Sequence, residues 1–282
     1  MHVFDHKNEL IGFLEKERSL HHSIGLVPTM GALHKGHISL VKTAVSANDL
    51  VVVSIFVNPT QFDKKDDLEK YPKNLHQDLE LLKTVSENIV VFAPTADGIY
   101  GSSIKSQTYD FHGLDKVMEG EFRDGHFDGV GTIVELFLKI VSPDRAYFGE
   151  KDFQQIQIIR KMVALKSLPV EIVDCPIERE PSGLAMSSRN ERLSKKTRSE
   201  ASFIYKMLLA AKTKFGTENA YEIVEWVNTQ FKKNAQLDLE YFQITDEETL
   251  APMLKKQENK KYRAFIAVYA EDVRLIDNLR LN

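Results

Sequence analysis

Two histidines three residues apart, His34 and His37, sit inside Met30-Gly31-Ala32-Leu33-His34-Lys35-Gly36-His37. The stretch follows an apolar run, Ile24 to Val27, and a Pro28-Thr29 break. It precedes an amphipathic helical pattern carrying Ile38, Leu40, Val41, Ala44 and Val45. A glycine-bearing turn from strand to helix is expected to gather free backbone N–H groups and a positive dipole end at one point. That is an anion site, and phosphate is its usual guest. At this spacing both imidazoles lie on one helical face and can reach the same phosphate chain. Three other readings compete. Gly31-x4-Gly36 approaches a P-loop, but His37 and Ile38 replace the Lys and the Ser or Thr that such a loop needs. His-x-x-His is half of a zinc site, yet no Cys cluster or further well-spaced His accompanies it. The third is a plain loop bearing two surface histidines.

Further polar loops occur where strand-like runs end. Leu50 to Val57 is a near-continuous apolar run of the kind a parallel strand shows when both its faces are covered. It leads into Asn58-Pro59-Thr60-Gln61-Phe62, and a charged, Asp- and Lys-rich segment follows. Ala146-Tyr147-Phe148 leads into Gly149-Glu150-Lys151-Asp152, with Gln154 and Gln155 in the first turn of the next helix. A Ser-, Gly- and Pro-rich stretch from Glu180 to Asn190 contains Met186-Ser187-Ser188-Arg189.

The elements that must position these loops follow from periodicity. Helices are expected over about His6–Leu20, from about Leu75 to Val85, up to about Val141, through Ile156 to Val163, over Lys196–Phe215 and over about Ala220–Lys233. Strands are expected at Ile24–Val27, Leu50–Val57, Ile89–Phe92, Ala146–Phe148 and Val170–Val173. Glu119 to Gly129 reads as a glycine-rich polar loop. Gly129-x-Gly131 lacks the third glycine of a dinucleotide fingerprint. Alternating strands and helices predict an α/β fold, a Rossmann-like doubly wound parallel sheet with ligands beyond the carboxyl ends of its strands. The last hundred residues change character. Leu237–Ile244, Arg263–Tyr269 and Val273–Asn278 read as strands of a second, smaller α+β C-terminal domain. The expected division is 1–181 and 182–282.

Composition bounds the function class. The chain has 282 residues, 43% of them hydrophobic, and a formal net charge of −4, so no basic excess points to nucleic acid. Cys175 is the only cysteine, which rules out a disulfide within the chain. The longest apolar run is too short to span a bilayer, and Asp5, Lys7 and Glu9 interrupt any signal-peptide core. A soluble, cytoplasmic protein is expected.

Six segments together carry a resemblance: Pro28 through His37, Phe56 to Phe62, Gly125-His126-Phe127-Asp128-Gly129-Val130, Phe148 to Gln155, Met186 to Asn190, and Arg274-Leu275-Ile276-Asp277-Asn278. In order and spacing they closely resemble the pantothenate synthetase family, over nearly the entire chain. The resemblance implies condensation of (R)-pantoate with β-alanine driven by ATP, through a pantoyl adenylate, with magnesium. It also implies a homodimer and a C-terminal lid domain. Carried over by motif, Met30, Gly31, Ala32, Leu33, His34, Lys35, Gly36 and His37 are expected to hold ATP, with His37 the catalytic histidine. Gly149, Glu150, Lys151, Asp152, Met186, Ser187, Ser188, Arg189 and the backbone near Glu178 resemble the remaining ATP contacts. Gln61 and Gln155 resemble pantoate ligands, and Gln61 also meets β-alanine. No protein residue is assigned to a metal. Glu135 to Lys139 departs from the family's usual Lys-Leu-Phe-Asn.

The chemistry agrees with that assignment. An anionic carboxylate must attack an anionic phosphate, so the site needs donors that neutralise charge as it moves onto pyrophosphate. His34, His37, Lys151 and Arg189 supply them, and no protein nucleophile is required. Taken singly, each residue has a plainer reading. Gln61 and Gln155 could be surface or capping glutamines, Asp152 a helix cap, and Ser187 to Arg189 a solvated linker. Arg123 and His126 are candidates for the wall of the site. His2, His6, His21, His22, His76 and His112 read as surface residues, Cys175 as a core thiol, and Arg274 to Asn278 as structural. Two other functions use the same loops: a nucleotidyltransferase that makes a dinucleotide cofactor, and a nucleotide-binding regulatory module.

Overall fold

A computed structural model describes residues 1–62 and 65–282. Residues 63–64, within the charged segment after Phe62, lie outside the described residues. The chain divides into two compact units, one made of 1–149 and 154–176, the other of 150–153 and 177–282.

The first unit is a parallel α/β sheet. Its elements are β1 (His2–Phe4), α1 (Lys7–Ser19), β2 (Ile24–Thr29), α2 (Lys35–Ala47), β3 (Leu50–Ile55), α3 (Lys65–Lys70), α4 (Leu75–Lys83) and β4 (Ile89–Phe92). There follow α5 (Ala96–Tyr100), α6 (Glu119–Phe122), α7 (His126–Val141), β5 (Arg145–Gly149), α8 (Phe153–Leu165) and β6 (Glu171–Cys175). Strand order is β1-β4-β3-β2-β5-β6, and every pair is parallel. From β2 the chain adds β3 and β4 on one side, then returns to add β5 and β6 on the other. The carboxyl ends of β2 and β5 therefore flank the switch point, where such sheets bind ligands. The Met30–His37 loop leaves β2 there. Leu50 to Ser54 are all buried, as expected for a central strand packed on both faces. Helix α2 buries Ile38, Leu40, Val41 and Ala44 against the sheet.

Strand β1 was not legible in sequence. It has three residues, too few to show a period, and forms only by pairing His2, Val3 and Phe4 with Val90, Val91 and Phe92 at the sheet edge. The expected polar loop 119–129 is also shorter than predicted. Glu119–Phe122 forms a helical turn and α7 begins at His126, so Gly129 and Gly131 lie inside a helix. Both are sites of close approach rather than flexibility. A Cβ on Gly129 would lie 2.4 Å from Thr60 O, and one on Gly131 would meet the rings of Tyr109 and Phe111 at 3.1 and 3.2 Å.

The Glu135–Lys139 departure has a structural basis. Glu135 is 1% exposed on α7. It accepts from Tyr109 Oη at 2.6 Å and Lys139 Nζ at 2.6 Å, with Lys166 Nζ at 3.6 Å. Burial opposes its ionisation, but Lys139 and Tyr109 outweigh that and hold the carboxyl below its ordinary range. Burial and the facing carboxylate push the Tyr109 phenol up. A carboxyl lowered in the fold stabilises above its unfolded pKa and loses that contribution as pH falls. Tyr109→Phe is therefore expected to lower stability by about 1.5–3 kcal/mol near neutrality, the range for a hydrogen bond to a charged group. The deficit should shrink in acid, as denaturant melts across pH would show. A deficit that does not vary with pH would mean lost packing rather than a lost bond.

The second unit contains α9 (Lys195–Glu200), α10 (Ser202–Lys214), α11 (Ala220–Lys232), β7 (Leu237–Asp246), β8 (Tyr262–Ala270) and β9 (Val273–Arg280). The strands form an antiparallel sheet in the order β7-β8-β9. Buried residues of α10 and α11, among them Ile204, Leu208, Ile223 and Val227, share one core with Ile244, Ala264, Ile266 and Val268. The single helix expected over 196–215 is two. They meet at Ala201, whose ψ of −16° tightens the turn, after Thr197 is tied to Glu271 Oε1 at 2.6 Å. Among the described residues, no helix is long and apolar enough to cross a membrane.

Candidate active site

The loop after β2 is built around a buried carboxylate that sequence reasoning missed. Gly31 and Ala32 both adopt positive φ, 82° and 51°. This turns successive amides inward: Ala32 N donates to Asp78 Oδ2 at 3.0 Å and Leu33 N to Asp78 Oδ1 at 2.7 Å. Asp78, on α4, is 3% exposed, and burial raises its pKa against the pull of those two amides. Gly31 N is also taken, by Thr29 Oγ1 at 3.2 Å. The turn is an anion cradle, as expected, but its amides are not free: the anion at Ala32 and Leu33 is the protein's own Asp78. The signal was present in sequence, because Asp78 lies on the apolar stripe of α4 with Leu75 and Leu82.

The two imidazoles are set by backbone amides. His34 caps α2, its Nδ1 accepting from Gly36 N at 3.1 Å. His37 Nδ1 accepts from His34 N at 3.3 Å, and the ring centroids are 4.1 Å apart. A neutral ring that accepts at Nδ1 carries its proton on Nε2, so hydrogen-bond geometry assigns both rings as Nε2–H donors. Lys35 is exposed beside them and Met30 is half-buried.

Gln61 ends a 3₁₀ turn, Pro59–Gln61, after β3 and is 9% exposed. Asn58 Nδ2 donates to Gln61 Oε1 at 3.0 Å and to Gly129 O at 3.1 Å, while Asn58 Oδ1 accepts from Tyr100 Oη at 2.6 Å. Gln61 Oε1 thus accepts from Asn58, and its Nε2 donates to Met30 Sδ at 3.1 Å, a weak acceptor. The Gln61 carbonyl is 2.8 Å from His126 Nδ1 and accepts from Arg123 Nη2 at 3.3 Å. Arg123 and His126 thus both hold the Gln61 backbone carbonyl. The neighbouring glutamines divide. Gln154 is 3% exposed, donates to Leu114 O and Val117 O, and accepts from Glu119 N. Gln155 is half-buried, and among the described residues its side chain has no hydrogen-bond partner in the protein.

In the second unit, Glu150–Asp152 form a 3₁₀ turn in which Lys151 is half-buried. Ser187 caps a second one, Ser188–Arg192, its Oγ accepting from Arg189 N at 3.3 Å. Met186 N donates to Glu178 O at 3.0 Å. Asn190, 1% exposed, donates to Glu180 Oε1 and Ala185 O and fixes the far side of the segment. His2, His6, His21, His22, His76 and His112 are exposed, and Cys175 is buried at the end of β6. Among the described residues no three or more His, Cys, Asp or Glu side chains are placed to share a metal ion.

Residues 2–280 match the family model described as pantoate-beta-alanine ligase. A pantothenate synthetase of Christiangramia forsetii is 59% identical over 282 residues, covering all of both chains, and one of Flavobacterium psychrophilum is 49% identical over 281, again with full coverage. Among solved structures, a pantothenate synthetase from Thermus thermophilus aligns with a TM-score of 0.90 at 37% identity, covering 100% of this chain and 99% of that one. A pantoate-beta-alanine ligase from Francisella tularensis, complexed with beta-gamma ATP and beta-alanine, aligns with a TM-score of 0.79 at 34% identity and covers 100% and 98%. A match spanning both units, together with the six motifs in order, places this chain in the pantoate–beta-alanine ligase family.

Proposed function

We propose that the chain condenses (R)-pantoate with β-alanine at the expense of ATP, giving pantothenate, AMP and pyrophosphate, the step that makes the vitamin precursor of coenzyme A. In the first half-reaction a carboxylate oxygen of pantoate attacks the α-phosphorus, and the bond to the bridging oxygen of pyrophosphate breaks. In the second, the β-alanine nitrogen attacks the acyl carbon of pantoyl adenylate, AMP leaves, and the nitrogen gives up a proton. The observation that carries this reading is the whole-chain family match. It is supported by two imidazoles tethered as Nε2–H donors at the switch-point end of β2.

Within this reading, His34, His37, Lys151 and Arg189 act on one triphosphate and stabilise the charge that develops on pyrophosphate. The remaining residues of 30–37, 149–152 and 186–189, with the backbone at Glu178, hold the nucleotide. Gln61 and Gln155 bind pantoate. Gln61 supplies N–H donors, which suit the carboxylate and hydroxyl oxygens, and meets β-alanine as well. Magnesium would come with the nucleotide rather than be held by side chains of the protein. It would supply charge neutralisation there. Closure of the C-terminal domain would exclude water from the adenylate. A cytoplasmic homodimer completes the proposal.

The direct test is ATP–pyrophosphate exchange. Exchange is expected with pantoate alone and without β-alanine; adding β-alanine should release AMP and a product with the mass of pantothenate. Exchange driven only by a different carboxylic acid would reassign the substrate. A retained nucleotidyl group in the product would indicate a dinucleotide-forming transferase.

A further inference from the structure

Residues 150–153 follow β5 in the chain but group with the second unit, where side chains of β8 and β9 hold them. Asn278, on β9, is 1% exposed. Its Nδ2 donates to Glu150 O at 2.8 Å and to Lys151 O at 2.9 Å, while its Oδ1 accepts from Arg263 Nη1 at 2.5 Å. Arg263, also 1% exposed, donates to Glu150 Oε2 at 3.2 Å and lies 3.9 Å from the centroid of the Phe153 ring. The Asn278 amide is thus satisfied by contacts that all bear on the turn or on the arginine bracing it. By contrast, among the described residues the Lys151 ammonium makes no hydrogen bond or close ion pair; its charge acts on Asp277, which Arg179 already pairs. The backbone is thus fixed on both sides of the Lys151 Cα, while its ammonium takes no part in holding the turn.

We propose that Asn278 is a positioning residue for Lys151 in the adenylation step. A buried amide is poor filler for a sheet core, since each polar atom costs free energy unless bonded. Here its two donors go to consecutive carbonyls of the turn that carries the lysine. A lysine is a point charge on a flexible stem, so its effect on a phosphate depends on where its Cα is held. The inference rests on the reading that Lys151 acts on the nucleotide.

The test is a double-mutant cycle in the whole chain, using ATP–pyrophosphate exchange with pantoate. Asn278→Ala is expected to lower kcat about 10²-fold, the scale for roughly 1 Å of misplacement, while KM for pantoate stays near wild type. The double variant with Lys151→Ala should be no slower than Lys151→Ala alone, because both changes remove one effect. Asn278→Ser keeps one donor, should fall between, and carries the same cycle if the alanine variant does not fold. A wild-type kcat in Asn278→Ala or Asn278→Ser, or full additivity with Lys151→Ala, overturns the proposal while leaving the role of Lys151 intact. A Lys151→Ala variant that exchanges at the wild-type rate overturns the Lys151 reading itself.

Discussion

Replacing His37 with alanine is expected to slow pantoate-dependent ATP–pyrophosphate exchange by about 10² to 10³-fold, the usual cost of one oriented donor at developing charge. Two losses combine. The Nε2–H donor disappears, and so does the acceptor that His37 Nδ1 offers to His34 N. The second loss frees the His34 backbone, whose imidazole is held 4.1 Å away, so the neighbour is loosened as well. Stability should fall by about 1 kcal/mol, the scale of a lost capping bond at a half-buried helix start. His37→Asn should recover part of the rate, since a side-chain amide can donate in the same direction. Stopped or quenched exchange assays on the purified variants measure both. Turnover close to wild type in His37→Ala would strip this imidazole of its role.

Gly129→Ala is expected to lose both stability and pantoate affinity. In an exposed helix, Gly to Ala gains up to about 1 kcal/mol from propensity. At Gly129 the new methyl would stand 2.4 Å from Thr60 O, 2.6 Å from Thr60 C and 2.8 Å from Gln61 Cα. All three are backbone atoms, so no side chain can swing aside. Overpacking of this kind costs about 1–3 kcal/mol or more, and it outweighs the propensity gain. The relief available is to push the Pro59–Gln61 turn off α7. That breaks the Asn58 bond to Gly129 O and displaces the glutamine assigned to pantoate. A shift near 1 Å should cut kcat/KM for pantoate about 10²-fold, with KM for ATP moving much less. Thermal melts and separate titrations of the two substrates resolve the effects. A variant as stable as wild type with an unchanged pantoate KM would contradict the close approach.

What the sequence disclosed depended on how strongly each element imprints itself. Ile89–Phe92 was readable residue for residue, because a four-residue apolar run closed by Ala93-Pro94 admits few alternatives. The loops at the carboxyl ends of β2, β3 and β5 were placed by the same logic. Asp78 and Asn278 were not assigned their roles, for a shared reason. Each is a polar residue on a buried face whose partners are backbone groups 45 and 127 positions away, and side-chain periodicity carries no record of a distant amide. Reading the turn after β2 as open to solvent anions followed from that blindness. The amides were present, but a carboxylate from another helix had claimed them.

The membership of residues 150–153 has a consequence for dissecting the molecule. A fragment cut at the conventional-looking junction, 177–282, would keep the antiparallel sheet and its helices but lose four residues that complete them. Asn278 would retain two buried donors with nothing to receive them, and Arg263 would forfeit both a carboxylate and the ring beneath it. Such a truncated piece should express poorly or aggregate. A redesigned fragment that grafts Glu150–Phe153 back through a short linker is the form in which this half could be studied in isolation.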